Sequence, residues 1–230
     1  IRANIVTVVT SLTVGLYLVE IVLFFFDEQS INARMTAAAE QGEKFDVRTR
    51  LQVIRDLREE GVDAVPPVFP AALIMQNGLH NEAAESLFSL GGVSDKKTVY
   101  CNEEGRYLIY QSDRYGFNNS DAEWDSPQVD WVLTGDSFVQ GYAVQPGEDI
   151  ARQIRLITGE NVLNLGMGGN GPLLELAVLK EYAEPIKPKI VLWFYYEGND
   201  RHDLAREASV PLLMGYLQPE FSQNLIHRQV

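Results

Sequence analysis

The chain has 230 residues, 46% of them hydrophobic and 22% charged, which is enough for one full-sized domain with extensions. Its 19 Lys and Arg against 32 Asp and Glu leave a formal net charge of −13. That balance argues against a nucleic-acid partner, which needs clustered cations, and against adsorption to anionic lipid. The one cysteine, Cys101, has no partner for an intramolecular disulfide, so cysteine usage does not report the redox compartment.

In chain order, the first feature is "IVTVVTSLTVGLYLVEIVLFFF" at 5–26, 22 residues with a single charge at Glu20. At a rise of about 1.5 Å per residue, such a helix crosses a hydrocarbon core of about 30 Å. The alternatives are a buried core helix or a signal peptide, whose apolar region is shorter, about 7–15 residues. The expectation is a transmembrane anchor over 1–28, with the lipid bilayer as its partner through residues 5–26. Arg2 precedes the span and Asp27 and Glu28 follow it. This charge bias expects a cytoplasmic N-terminus and a soluble part that is periplasmic or extracellular. Glu20 reads either as a contact to another subunit of a membrane complex or as a neutral carboxyl reaching the interface. Because the chain begins with Ile1, the numbering is expected to start inside a longer product.

Residues 29–125 carry weaker signals. Residues 30–60 are helical in pattern, and "FDVRTRLQVIRDLREEG" spaces Val47, Leu51, Ile54 and Leu57 for one helical face, with Gly61 as a stop. "VPPVFP" at 65–70 breaks regular structure, because each proline fixes φ and removes a donor. Residues 71–97 show no clear period. "TVYCN" (98–102) and "RYLIYQ" (106–111) are two β-prone runs around Glu103-Glu104-Gly105, which reads as a hairpin.

From 126 to 230 the pattern sharpens. Three apolar runs recur: "DWVLT" (130–134), "NVLNL" (161–165) and "KIVLWFYY" (189–196). The first spacer, "PGEDIARQIRLITGE", is acidic at its start and has Gly159 past its end. The second, "GPLLELAVLKEYAEPIKP", has Pro172 at a first helical position and Pro185 and Pro188 as stops. Strand–helix–strand–helix–strand with near-continuous apolar strands predicts an α/β fold with a parallel sheet covered on both faces. Ligands in such sheets bind at the carboxyl ends of the strands. Those ends carry Gly135-Asp136-Ser137, then Gly166-Met167-Gly168-Gly169-Asn170-Gly171, then Glu197-Gly198-Asn199-Asp200.

Acyl transfer needs a nucleophile and donors for the charge that develops on the carbonyl oxygen. Ser137 supplies a hydroxyl and its own amide. A glycine such as Gly169 brings a second amide close, and Asn199 offers a side-chain N–H. The other reading of the glycine turn is a phosphate-cradling loop. It lacks the Gly-x-Gly-x-x-Gly spacing with an acidic partner, and it lacks the lysine of a P-loop.

"GDS" (135–137), "NLGMGGNG" (164–171) and "EGND" (197–200) together resemble the first three blocks of the SGNH/GDSL hydrolases. The resemblance covers about a third of the chain, roughly 126–205, and implies a flavodoxin-like three-layer parallel sheet and esterase, lipase, O-acetyl esterase or acyltransferase chemistry. It implies Ser137 as nucleophile, with Gly169 and Asn199 completing the oxyanion hole. Asp136 would be a turn residue, and Gly168 and Asp200 would support the loops. "SDRYGFNN" (112–119) resembles a lead-in of membrane-anchored and cell-envelope members.

Two departures stand out. Glu197 occupies the position of the first glycine of the third block, and the family's last block, Asp-x-x-His, which supplies the general base, does not occur in the sequence. The base is expected downstream. His202 and His227 are weaker substitutes, and His80 precedes the domain. The implied function is a membrane-anchored extracytoplasmic ester hydrolase or O-acyltransferase acting on an acyl ester of an envelope glycan, lipid or small molecule. The alternatives are a catalytically incomplete accessory subunit of a membrane complex and a ligand-binding module. No motif calls for a metal or an organic cofactor.

Overall fold

The computed structural model describes residues 2–40, 42, 44–76, 79–80, 86–103 and 105–228, with the side chains of 2–6, 21–31, 37, 75–76, 79–80 and 86 outside the description. The chain forms two compact units, Ile1–Val47 with Asn102–Arg106, and Arg48–Cys101 with Tyr107–Val230.

The first unit is built on one helix, α1, Arg2–Glu40. It runs past residue 28, where the anchor was expected to end. Among the described residues no helix is long and apolar enough to cross a membrane, so a transmembrane helix over 1–28 is not shown. Residues 5–6 and 21–26 of the expected span lie outside the described side chains. The part that is described, 7–20, is exposed throughout, with Leu12 at 64% and Leu16 at 70%. The turn at 102–106 belongs to the same unit. The Asn102 Nδ2 donates to the Asp46 carbonyl at 2.7 Å, and the Asp46 N–H donates to the Gly105 carbonyl at 2.5 Å.

The second unit opens with α2, Arg50–Glu59. Thr49 caps it, accepting from the Gln52 N–H while the Gln52 side chain accepts from the Thr49 N–H, a reciprocal pair that satisfies two orphan donors. The helix is shorter than the pattern over 30–60 predicts, and it is turned. Val47 and Leu51 are 66% and 69% exposed, whereas Val53 and Ile54 are buried with Leu57 beside them. The stripe that packs is set by the small sheet beneath, not by the longest apolar spacing. In that sheet β1 (Ala64–Val65) pairs parallel with β4 (Lys97–Val99), and β4 pairs antiparallel with β5 (Ile109–Gln111), as the hairpin reading expects. Between them, in the stretch with no period, lie a 3₁₀ turn, Pro70–Gln76, and an antiparallel pair, β2 (Leu79–His80) and β3 (Ser86–Leu87).

The three apolar runs become β6 (Trp131–Thr134), β7 (Val162–Asn164) and β8 (Ile190–Trp193), all parallel, in the order β7-β6-β8. After β6 come a short turn, α3 (Ser137–Gln140), and α4 (Ile150–Thr158), capped by Asp149 and ended by left-handed Gly159. After β7 comes α5 (Pro172–Val178), with proline in its first turn. After β8 come α6 (Asp200–Glu207) and α7 (Pro211–Gly215).

Successive residues of a strand face opposite sides of the sheet, so each side needs its own apolar cover. Val132 and Leu163 enter one cluster with Leu174, Ala177 and Val178 of α5, while Leu133 and Val162 enter another with Val139 and Ala151. The parallel sheet is thus observed, with cover on both faces for β6 and β7. At its edge, β8 keeps Ile190, Val191 and Trp193 exposed.

The lead-in 112–119 is a polar clasp. The buried Asp113 carboxylate accepts from the Tyr115 and Phe117 N–H groups, the Asn119 Nδ2 and the Trp124 Nε1, at 2.8–2.9 Å. Burial pushes its pKa up to about 6, against the pull of these four donors. Asn119 then acts as one rung of a strand. Its Oδ1 accepts from the Asn164 N–H and its Nδ2 donates to the Asn164 carbonyl, both at 2.8 Å, which closes the outer edge of β7. Asp113→Ala would leave four buried donors without an acceptor, at a cost of about 3 kcal/mol or more. The expected outcome is a melting temperature lowered by about 10 °C in a thermal scan, with Asp113→Asn costing less.

Candidate functional site

β6 ends on Thr134, and the chain turns at Gly135. A side chain there would press a Cβ to 2.5 Å from Val139 Cγ2 and 3.1 Å from Phe194 Cβ, so only glycine lets β6 and the residues after β8 approach. Asp136 follows, 4% exposed. Its Oδ1 accepts from the Phe138 N–H at 2.9 Å and caps α3, and its Oδ2 accepts from the Asn199 Nδ2 at 3.3 Å. This one carboxylate ties the first loop to the third. Ser137 is half-buried at the start of α3.

The second loop is held by Gln140, a buried residue that no local pattern in the chain marks. Its Oε1 accepts from the Gly168 N–H at 2.8 Å and from the Tyr100 hydroxyl at 2.7 Å, and its Nε2 donates to the Tyr110 hydroxyl at 3.1 Å. Asn164 adds a second tie, its Nδ2 donating to the Val139 carbonyl at 2.6 Å and its Oδ1 accepting from the Gly166 N–H at 3.0 Å. The Gly168 amide is therefore spent inside the protein. Gly169, at φ +77 in the left-handed region that favours glycine, follows directly. Among the described residues its amide, like that of Ser137, has no internal acceptor.

Ser137, Gly168 and Gly169 line one groove of about 510 Å³ with Phe69, Tyr100, Tyr142 and Arg206. The structure thus brings Ser137 and Gly169 to one place. Asn199 is not part of that lining. It lies beside Asp136, with one amide hydrogen engaged there and its Oδ1 buried without a partner among the described residues. Asp200 is fully buried and its Oδ2 accepts from the Tyr196 N–H at 2.6 Å, which fixes the third loop.

Beneath the loops lies a run of buried carboxyls. Glu207 accepts from the N–H groups of Gly171, Leu173 and Leu174 at 2.6, 2.8 and 3.3 Å and so caps α5. Glu175 accepts from the Trp193 Nε1 at 2.5 Å. Burial raises the pKa values of Asp200 and Glu207 and pushes that of Glu175 to about 8. The Trp193 hydrogen bond opposes the Glu175 shift, and Asp200, Glu207 and Asp136 add to it.

Neither histidine with a described side chain is placed as a base. His202 on α6 and His227 in the turn Leu225–His227 are exposed, and the His80 side chain lies outside the described residues. Among the described residues no group hydrogen-bonds the Ser137 hydroxyl, and no cluster of His, Cys, Asp or Glu has the arrangement of a metal site.

The Glu175 carboxyl has a definite pH signature. Its pKa is raised in the folded chain from the ordinary 4.5, so the folded state holds the proton more tightly than the unfolded state does. The stability it contributes is full below the ordinary value and is lost as pH rises towards about 8. Urea midpoints are expected to fall between pH 5 and pH 8, and Glu175→Gln, which keeps an acceptor for Trp193, is expected to flatten that slope.

Comparisons with protein-family models, with curated proteins and with solved structures give no match to this chain.

Proposed function

We propose that this chain is the membrane-anchored, nucleophile-bearing part of an SGNH-type serine ester hydrolase or O-acyltransferase. Its substrate is an acyl ester of an envelope glycan, lipid or small molecule outside the cytoplasm. One observation carries the reading. Ser137 shares a groove with Gly169, and the amides of both residues have no acceptor among the described residues. Such amides suit an oxyanion, because they are fixed before the charge develops. The sheet order also supports it. The connections from β6 to β7 and from β7 to β8 leave a crevice at the carboxyl ends of β6 and β8, where doubly wound sheets bind ligands.

In this reading the Ser137 Oγ bonds to the ester carbonyl carbon, and the carbonyl oxygen takes the negative charge between the Ser137 and Gly169 amides. Asn199 turns its second amide hydrogen to the same oxygen. The hydroxyl proton passes to a base and on to the departing alcohol as the ester C–O bond breaks, leaving an acyl-serine. Water or a second alcohol then takes the acyl group. The base is the imidazole of an Asp/His pair that the described residues do not place at Ser137, and a serine without one is a weak nucleophile at neutral pH.

The unengaged hydroxyl of Ser137 favours a second reading, an accessory subunit that uses the same scaffold without turnover. A serine-reactive fluorophosphonate distinguishes the two on the full-length protein. Wild type is expected to label and Ser137→Ala not to. Asn199→Ala is expected to lower kcat on p-nitrophenyl esters by about 10²–10³ with little change in KM. Equal, weak labelling of wild type and Ser137→Ala would leave the accessory reading.

The anchor rests on α1, whose exposed residues 7–20 include Val8, Val9, Leu12, Leu16 and Val19 with no charge before Glu20. Removing residues 1–40 is expected to move the protein from the membrane pellet to the soluble fraction, as read by immunoblot of fractionated cells.

A further inference from the structure

The groove beside Ser137 has a chemistry of its own. Phe69, Tyr100 and Tyr142 form a continuous aromatic wall, with Phe69–Tyr100 centroids 5.8 Å apart and Tyr100–Tyr142 centroids 5.5 Å apart and edge-on. Ala72 and Ile74, from the 3₁₀ turn Pro70–Gln76, extend the apolar lining. Polar groups are few. The Tyr100 hydroxyl is turned away into its hydrogen bond with Gln140, and the Gly168 amide is held by the same side chain. What remains polar in the lining is Ser137, the Gly169 backbone, the tip of Tyr142 and the Arg206 guanidinium, itself paired to Asp203.

A sugar ring set against that wall would bury hydroxyls with no partners, a cost of about 1–3 kcal/mol for each unsatisfied group. A hydrocarbon has nothing to satisfy and gains about 0.8 kcal/mol per buried methylene. The volume, about 510 Å³, lies within the usual range for small-ligand sites and far exceeds what a two-carbon acetyl group fills. The polar alcohol part of the ester is then left on the open side of the groove.

We propose that this groove is an acyl-chain site, and that the substrate is an ester of a medium-chain fatty acid rather than an acetyl ester. The inference rests on the ester reading of Ser137 and narrows its substrate class. Ser137 and the two amides meet the carbonyl, and the aromatic wall meets the chain.

The test is a series of p-nitrophenyl acetate, butyrate, hexanoate and octanoate on the full-length protein, alongside calorimetric binding of octanoate and acetate to Ser137→Ala. kcat/KM is expected to rise about fourfold per added methylene until the groove is full, the factor that 0.8 kcal/mol represents. Octanoate is expected to bind and acetate not to. Ala72→Trp places a ring in the groove from an exposed position. With its circular dichroism unchanged, it is expected to lose octanoate binding and the rise of kcat/KM along the series. A preference for acetate, a flat series, or octanoate binding untouched by Ala72→Trp would overturn the acyl-chain site and leave the ester reading standing. Octanoate binding abolished by Ala72→Trp, with no ester of any length turned over, would keep the apolar-ligand site and remove the ester reading.

Discussion

The parallel pairing of β6 with a neighbour on each side is the constraint from which the rest follows. A parallel ladder cannot be closed by a tight turn, so the chain must cross over a face of the sheet each time it returns. β6, β7 and β8 therefore all end on one edge, and the loops after Thr134, Asn164 and Trp193 have to meet there. Residues 135, 168 and 199 are far apart in the chain and close in space for this reason alone. The apolar character of the strands is the energetic side of the same constraint. Val132 and Leu133 are both fully buried because one packs under α5 and the other against the α3–α4 side.

Convergence brings the loops together, but it does not aim them. Two buried polar side chains do that, both from the six residues after β6. Asp136 bridges its own turn and Asn199. Gln140 bridges the glycine turn and the two tyrosines of the β4–β5 hairpin. Each is expensive to bury and stays only because its hydrogen-bonding capacity is used. Gln140 also decides which glycine amide is available. By engaging Gly168 it leaves Gly169 to face the groove. The small sheet is thus joined to the site, since Tyr100 and Tyr110 both enter the Gln140 network and Tyr100 also belongs to the aromatic wall.

The buried carboxyls under the loops extend this logic. Glu207 substitutes for the missing partners of the first N–H groups of α5, and Asp200 does the same for Tyr196. Both charges disfavour ionisation of Glu175, and burial, the larger cause, holds that carboxyl protonated well above the ordinary carboxyl range. The third loop is consequently fixed by groups whose ionisation depends on one another. Asp113 has the same function at the other edge of the sheet, where it shapes the segment that presents Asn119 to β7.

Features that depend on neighbours in the chain were legible in the residues alone. Apolar runs placed β6, β7 and β8, the acidic start of one spacer with Gly159 past its end and Pro172 in the other bounded the helices between them, and the strand ends named Ser137, Gly169 and Asn199 as residues of one edge. Features that depend on distant pairs were settled by the fold. The buried face of α2 turned from Leu51 to Val53 because the sheet beneath it selects the stripe. A strand formed at Ala64–Val65, just before the prolines, because β4 was there to pair with it. Gln140, Asn164 and Glu207 carry no local pattern, since a buried amide or carboxyl is legible only once its partners, 28 to 40 residues away in the case of Gln140 with Gly168 and Tyr100, are in place. Local propensity is written in periods of two and 3.6 residues, whereas hydrogen-bond satisfaction across a core is settled by geometry that no single segment contains.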